Sequence, residues 1–384
     1  MTTSTMTIAA TRSEPVPAAG PSNRQAGDAG IACAIDRYLH AQSEFSILPE
    51  PARYAILEIG DGLEGLREAI TPLESRRGEA PRADTASESL VASALNDAVA
   101  PHLAVLEREI GFPDPATWRV ASRYFHERFG PLVDLSPFAA RCFHKPLGYA
   151  GDFEMMNMVY RNESVGRSLF GRSLSRIVLD SDAARAVRNR TDYLTAKIEA
   201  AVARAEPDQP ARILSVAAGP AMEIQRILQR DAAMLAADRA EIVLLDQDAG
   251  ALDHATGQIR ALAAAAGVKV KLRCINTSIR TVIADGLHGS YDLVYSAGLF
   301  DYLRDRTARA AGARIVEALA PGGTAVIGNF AVANPTRPLM ELVLDWALIH
   351  RSPDDLRCLF GDLGNGMTIE REAAGVNLFA VIRA

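Results

Sequence analysis

The strongest constraint on the fold of this chain is a change of texture at Pro210. Beyond it, short apolar runs alternate with helical stretches: "RILSV", "EIVLLD", "VKLRCI", "YDLVYSA", "GTAVIGNF", and then "MTIERE" and "NLFAVIR". Strands that alternate with helices imply a mostly parallel sheet, because a parallel neighbour is reached only through a long crossover. Five strands in alternation and a closing pair therefore predict an α/β unit. Helices are expected at "AMEIQRILQRDAAML" after the first strand and at "ARAAGARIVEALA" after the fourth.

Upstream the periodicity is helical. "ARYAILEIGDGLEGLREAI" and "SESLVASALNDAVAPHLAVLEREIGF" repeat apolar residues every three or four positions, with Ser87 or Ser89 as expected N-caps of the second. "DPATWRVASRYFHERFG" opens on an Asp114–Pro115 cap and is expected to stop at Gly130. A long helix follows at "SDAARAVRNRTDYLTAKIEAAVARA". The expected organisation is a disordered tail over 1–29, an all-helical domain over 30–205 and the α/β domain over 206–384.

Composition narrows the function. At 384 residues and 48% hydrophobic, the chain can bury two cores. A net charge of −6 gives no basic surplus for nucleic acid. Cys33, Cys142, Cys274 and Cys358 are scattered without a CxxC pair, so neither a metal site nor a redox dithiol is expected. No run approaches the ~20 apolar residues of a membrane span, and a cytoplasmic location is expected. His40, His102, His126, His254 and His288 show no partner pattern.

Ligands of open parallel sheets sit beyond the carboxyl ends of the strands. The first strand ends in "AAGPA", where small residues let backbone approach a ligand at a helix N-terminus. Alanine serves there in place of glycine wherever φ need not be positive. The second strand ends in Asp246, placed to accept hydrogen bonds from two ribose hydroxyls, with Asp248 as the alternative. Ser278 and Ile279 can flank an adenine, and "LAPGG" sets a turn before the fifth strand.

Taken in order, "ILSVAAGPA", "LLDQD", "YDLVYSAGLFDYL" and "LAPGGTAVIGNF" make residues 211–384 resemble a class I S-adenosylmethionine-dependent methyltransferase. The resemblance implies a Rossmann-like seven-stranded methyltransferase sheet closed by an antiparallel hairpin, with an N-terminal all-helical domain attached. It implies S-adenosyl-L-methionine as cofactor, held by Ala217, Ala218, Gly219, Pro220, Asp246, Gln247, Ser278, Ile279, Ser296 and Gly298. An arginine among the residues before the first strand, Arg190 or Arg188 near Tyr193, would meet the cofactor carboxylate. Both arginines also suit a solvated helix face. Ser215 stands where the family usually has an acid, and Ala217 and Ala221 replace glycines. A nicotinamide dehydrogenase is the rival, but the GxGxxG spacing is absent.

"CFHKPLGYAGDFEMMNMVY", "SLFGRSL", "AVRNRTDYL", "SAGLFDYL" and "LMELVLDWALIHRSPDDLR" extend a narrower resemblance over residues 139–384. It is to the bacterial extracellular-factor 3-hydroxypalmitic acid methyl ester biosynthesis proteins. It implies O-methylation of a small carboxylic acid, of the hydroxy fatty acid kind. Asp301, Tyr302, Tyr149 and His144 are the catalytic candidates. Lys145, Asp152, Asn329, Phe330, His350 and Arg351 are the substrate-binding ones. Asp152 equally suits a helix cap, and Met155, Met156, Met158 and Trp346 suit a core. Trp346, His350 and Arg351 are expected on a helix after the fifth strand. An amine acceptor would need His144 or Asp301 as base. Cofactor binding without catalysis, and aminopropyl transfer, are the remaining alternatives. The expected partner is a small-molecule substrate, with a homodimer left open and the helical domain closing over the sheet.

Overall fold

The computed structural model describes residues 45–77, 85–111, 115–206 and 208–384, with scattered positions between 31 and 43. The expected tail and the Asp114 cap lie outside the described residues. Seven strands form one sheet: β1 (Ala211–Val216), β2 (Ala240–Asp246), β3 (Lys271–Asn276), β4 (Tyr291–Ser296), β5 (Leu319–Phe330), β6 (Gly366–Arg371) and β7 (Asn377–Arg383). Their spatial order is β3-β2-β1-β4-β5-β7-β6. The first five pair in parallel, and β7 runs antiparallel between β5 and β6.

Successive side chains of a strand point to opposite faces, and a parallel sheet buries both. Ile213, Ile242, Leu244, Leu293, Tyr295 and Phe379 fill one face. Leu214, Val243, Leu245, Val294, Ile327 and Ile382 fill the other. The "LAPGG" turn expected before the fifth strand lies inside β5, where Gly322 has φ +76° and the register to β4 shifts.

The helical part comprises α1 (Glu50–Arg77), α2 (Thr85–Ile110), α3 (Pro115–Val133), α4 (Pro137–His144), α5 (Phe153–Arg161), α6 (Leu169–Asp180) and α7 (Asp182–Arg204). Ser87 and Ser89 are not caps, since α2 starts earlier, at Thr85. Gly130 does not end α3: the helix continues to Val133 because Leu132 and Val133 are buried, outweighing glycine's ~1 kcal/mol helix penalty. By length and composition α2 is apolar enough to cross a membrane, contrary to the expectation that no segment is. In this fold its Leu95, Val99 and Leu106 belong to the helical core with Ile56, Phe125 and Phe170.

Helix α7 joins the two regions. Ala183, Ala186 and Val187 pack in the helical core, while Leu194, Ile198 and Val202 pack beneath the sheet. The boundary drawn at 205/206 falls between α7 and β1. The remaining helices are α8 (Met222–Asp231), α9 (Ala249–Ala265), α10 (Ile279–Asp285), α11 (Asp305–Glu317), α12 (Arg337–Leu342) and α13 (Pro353–Phe360). Trp346, His350 and Arg351 do not lie on a helix. Helix α12 ends at Leu342, Asp345 is left-handed at φ +46°, and Arg351 bridges back to Ala331. Trp346 is buried in the helical core.

Candidate active site

The order of strands reverses between β1 and β4, which is where such sheets open a crevice. A cavity of about 260 Å³ lies at that point. Val216 to Pro220, Leu245, Asp246 and Gln247 form its floor, and Thr277, Ile279, Ala297, Gly298, Leu299 and Tyr302 form its sides. The helical half supplies Tyr149, Ala150, Gly151, Phe153, Met156, Tyr160 and Arg190. A wider groove of about 530 Å³ is lined by α2 residues such as Ser93 and Asn96 and by Pro338 of α12, but no strand end reaches it.

The loop after β1 is strained. Ala217, Gly219 and Ala221 have φ +54°, +53° and +49°. The expectation that alanine sits only where φ is negative is therefore wrong here. A left-handed alanine costs roughly 1–2 kcal/mol, so the surroundings must impose it. Ala218 N donates to Leu245 O at 3.1 Å, Ala221 N to Ala218 O at 3.0 Å, and Gly219 N to Asp246 Oδ2 at 2.8 Å. The other oxygen of Asp246 accepts from Asp248 N at 2.9 Å. Burial pushes the Asp246 carboxyl above its ordinary pKa, against those two donors.

Asp248 is occupied elsewhere. Its Oδ1 caps α9 through Gly250 N and Ala251 N, and its Oδ2 accepts from the Tyr149 hydroxyl at 3.1 Å. Tyr149 thereby ties the helical half to the end of β2. Burial, then the Asp248 charge, push its phenol up.

Arg190 is 7% exposed, so the solvated reading does not hold for it. It lies on the face of α7 that runs from Val187 to Leu194, at the seam between the two cores. Nη1 reaches Ala297 O at 3.5 Å and Nη2 reaches Met156 Sδ at 3.4 Å, while Nε has no partner. Desolvation opposes its charge, but Tyr160, Asp301 and Glu223 outweigh that and hold its pKa above the ordinary value. A Cβ at Gly298 would stand 2.9 Å from Nη1, so glycine makes room for the guanidinium. Gly151 acts similarly: at φ +72°, a Cβ there would overlap the Tyr302 hydroxyl. Arg188 does not line the cavity, and Tyr193 donates to Glu370 and stacks on Phe379.

Several expected site residues are placed otherwise. His144 pairs with Asp134 at 2.7 Å on the surface, and Lys145 pairs with Asp345. Asp152 is the helix cap: it accepts from Met155 N at 2.8 Å and from Arg141 Nε at 2.9 Å. Asp301 is buried below the cavity wall, accepting from Phe330 N at 2.7 Å, and burial raises its pKa to about 7. Ser278 caps α10, leaving Thr277 and Ile279 to face the cavity. Ser296 is fully buried behind the wall.

The chain after β5 folds back against it, which turns four more candidates inward. Asn329 donates to the carbonyls of Phe330 and Ile349, and Phe330 is core. His350 bonds Asn334, with burial lowering its pKa to about 3. Arg351, 2% exposed, donates to Phe300 O, Leu303 O and Asn329 Oδ1, and pairs with Asp305.

Ala217, Ala218, Gly219, Pro220, Asp246, Gln247, Ile279, Gly298, Arg190, Tyr149 and Tyr302 are brought together. Glu223, Tyr160, Phe153 and Met156 also line the cavity and were missed. Met156 is both the expected core residue and a cavity wall. The signal for Glu223 was its position in the first turn of the helix after the loop, where N–H groups converge. Among the described residues, no group of three or more His, Cys, Asp or Glu side chains could hold a metal.

Solved structures are similar to this chain at low identity. A "possible exported protein" from Bordetella parapertussis is 18% identical, with 88% of this chain and 99% of that one covered and a TM-score of 0.48. The N-methyltransferase NodS of Bradyrhizobium japonicum, in complex with S-adenosyl-L-homocysteine, is 15% identical over 51% of this chain and 86% of its own, with a TM-score of 0.35. Magnesium protoporphyrin IX methyltransferase of Synechocystis is 11% identical over 52% and 86%, with a TM-score of 0.39. No curated protein matches the chain. A family profile described as "Putative methyltransferase" matches residues 147–353, more than half of the chain, from the Tyr149 loop to the start of α13. The chain belongs to that methyltransferase family.

Proposed function

We propose that the chain transfers a methyl group from S-adenosylmethionine to an oxygen of a small carboxylic acid, giving the methyl ester. The observation that carries this reading is that Asp246 and Arg190 line one cavity. To Asp246 we assign the ribose hydroxyls. Leu245, Ile279 and Phe153 offer apolar surface for an adenine. The unpartnered Nε of Arg190 is a buried donor that a cofactor carboxylate would satisfy.

S-adenosylmethionine supplies a methyl group already activated on a sulfonium. The work left to the protein is alignment and exclusion of water. The helical half does the excluding, since Tyr149, Phe153, Met156 and Tyr160 roof the cavity. Tyr302 does the aligning. Its hydroxyl accepts from Trp346 Nε1 at 2.8 Å, so its own proton is left to donate to an acceptor oxygen. A carboxylate acceptor brings its own electron pair: the C–O bond forms as the C–S bond breaks, and no proton is released. That suits a wall where phenols are the donors and where His144 and Asp301 stand away from the cavity. A hydroxy fatty acid is the acceptor class we favour.

The test is transfer of labelled methyl to a panel of fatty acids, hydroxy acids, amino acids and amines. A product whose label is released by mild alkali is the expected ester. Alkali-stable label on an amine would overturn the acceptor assignment. Tyr302→Phe is expected to reduce kcat/KM for the acceptor by about tenfold, the worth of one hydrogen bond, without weakening cofactor binding.

A further inference from the structure

Ser215 is the last but one residue of β1. It stands in register with Tyr295 of β4. The Tyr295 hydroxyl donates to Glu223 Oε1 at 2.6 Å. Glu223 lies in the first turn of α8, is 5% exposed, and lines the same cavity as Arg190. From the second side, Thr195 of α7 donates to the Glu223 carbonyl at 3.4 Å, so the residue is fixed between strand and helix.

Arg190 and Glu223 line one cavity, yet the Arg190 hydrogen bonds go to Ala297 O and Met156 Sδ; burial pushes the Glu223 carboxyl above its ordinary pKa, against the Tyr295 hydrogen bond and the Arg190 charge. A guanidinium and a carboxyl buried in one cavity without joining are costly unless something completes them. The molecule that does so carries a cation and an anion on one short frame.

We infer that Glu223 and Arg190 form a clamp for an amino-acid zwitterion, Glu223 receiving the α-ammonium of the cofactor and Arg190 its α-carboxylate. The inference rests on the cofactor reading above. Strand β1 carries no acid, so the acid comes from α8, and the Tyr295 hydroxyl orients it. The clamp also sets which sulfonium compounds are accepted. A cofactor without its carboxylate leaves Arg190 unsatisfied, which disfavours aminopropyl transfer.

The experiment is calorimetry with three ligands: S-adenosylhomocysteine, its desamino analogue, and 5′-methylthioadenosine, which lacks the amino acid. The wild-type chain is expected to bind S-adenosylhomocysteine at least about tenfold more tightly than the desamino analogue, as one charge-assisted hydrogen bond requires. Glu223→Gln is expected to erase that difference while leaving methylthioadenosine binding unchanged. Equal wild-type affinity for S-adenosylhomocysteine and the desamino analogue overturns the inference, and this comparison needs no variant to fold. A Glu223→Gln loss that is equal for all three ligands also overturns it. Wild-type binding of methylthioadenosine but of neither amino-acid-bearing ligand would do the same with the adenosine site intact. Binding of none of them would remove the cofactor reading itself, and this inference with it.

Discussion

Replacing Asp246 by alanine separates two tasks of one carboxylate. In the folded chain it holds Gly219 N at 2.8 Å and Asp248 N at 2.9 Å. Both donors are half-buried, so losing their acceptor costs about 1 kcal/mol each, the lower end of the range for stranded groups. The expected loss of stability is therefore about 2 kcal/mol, visible as a lower urea midpoint. For the cofactor, two ribose hydrogen bonds to a charged group are worth about 1.5–3 kcal/mol each. Affinity for S-adenosylhomocysteine should then fall by at least about 100-fold. Unlike Glu223→Gln, this substitution weakens 5′-methylthioadenosine equally, because that ligand keeps the ribose. Asp246→Asn keeps one neutral acceptor and should fall between. If folded Asp246→Ala bound S-adenosylhomocysteine within threefold of wild type, the ribose assignment would be refuted.

Three further outcomes follow from the same geometry. Gly298→Ala places a Cβ 2.9 Å from the end of the flexible Arg190 side chain. It should leave the melting temperature nearly unchanged and weaken S-adenosylhomocysteine by about tenfold, as loss of one charged hydrogen bond would; unchanged calorimetric affinity contradicts it. Burial raises the Asp301 pKa to about 7, above an unfolded value near ~3.9. Its contribution is thus full below pH ~4 and is lost as pH rises toward 7. The stability of Asp301→Asn relative to wild type should grow by up to about 1.4 kcal/mol per pH unit across that window and then level off; denaturation curves giving a pH-independent difference would contradict this. Arg351→Met strands Phe300 O, Leu303 O and Asn329 Oδ1, so stability should drop by about 3 kcal/mol or more; a thermal melt showing a loss below ~1 kcal/mol would speak against Arg351 as the pin of that loop.

The sheet was legible because burial on two faces writes itself into strands such as "EIVLLD" and "NLFAVIR", and because acids and small residues mark strand ends. Asp246 and Gly219 were therefore found where they stand. Backbone conformation was not legible: nothing in "SVAAGPA" announces that two alanines are left-handed. Buried charge was legible only in part. Arg190 was expected at the cofactor carboxylate, with a solvated helix face as its alternative, while Glu223 read as an ordinary polar position, and only the meeting of α7, α8 and β4 brings the two to one cavity. His144 and Lys145 had suitable chemistry, but their partners lie 10 and 200 positions away. The six-residue helix α12 and the fold-back after it turned His350 and Arg351 from a reaction centre into internal braces.

The central claim is that the cavity beyond β1, β2 and β4 holds an adenosyl amino acid. It is tested most directly by titrating the 384-residue chain with S-adenosylhomocysteine and, separately, with a nicotinamide dinucleotide. One equivalent of the first should bind, with no heat from the second. Heat from the dinucleotide alone would contradict the account.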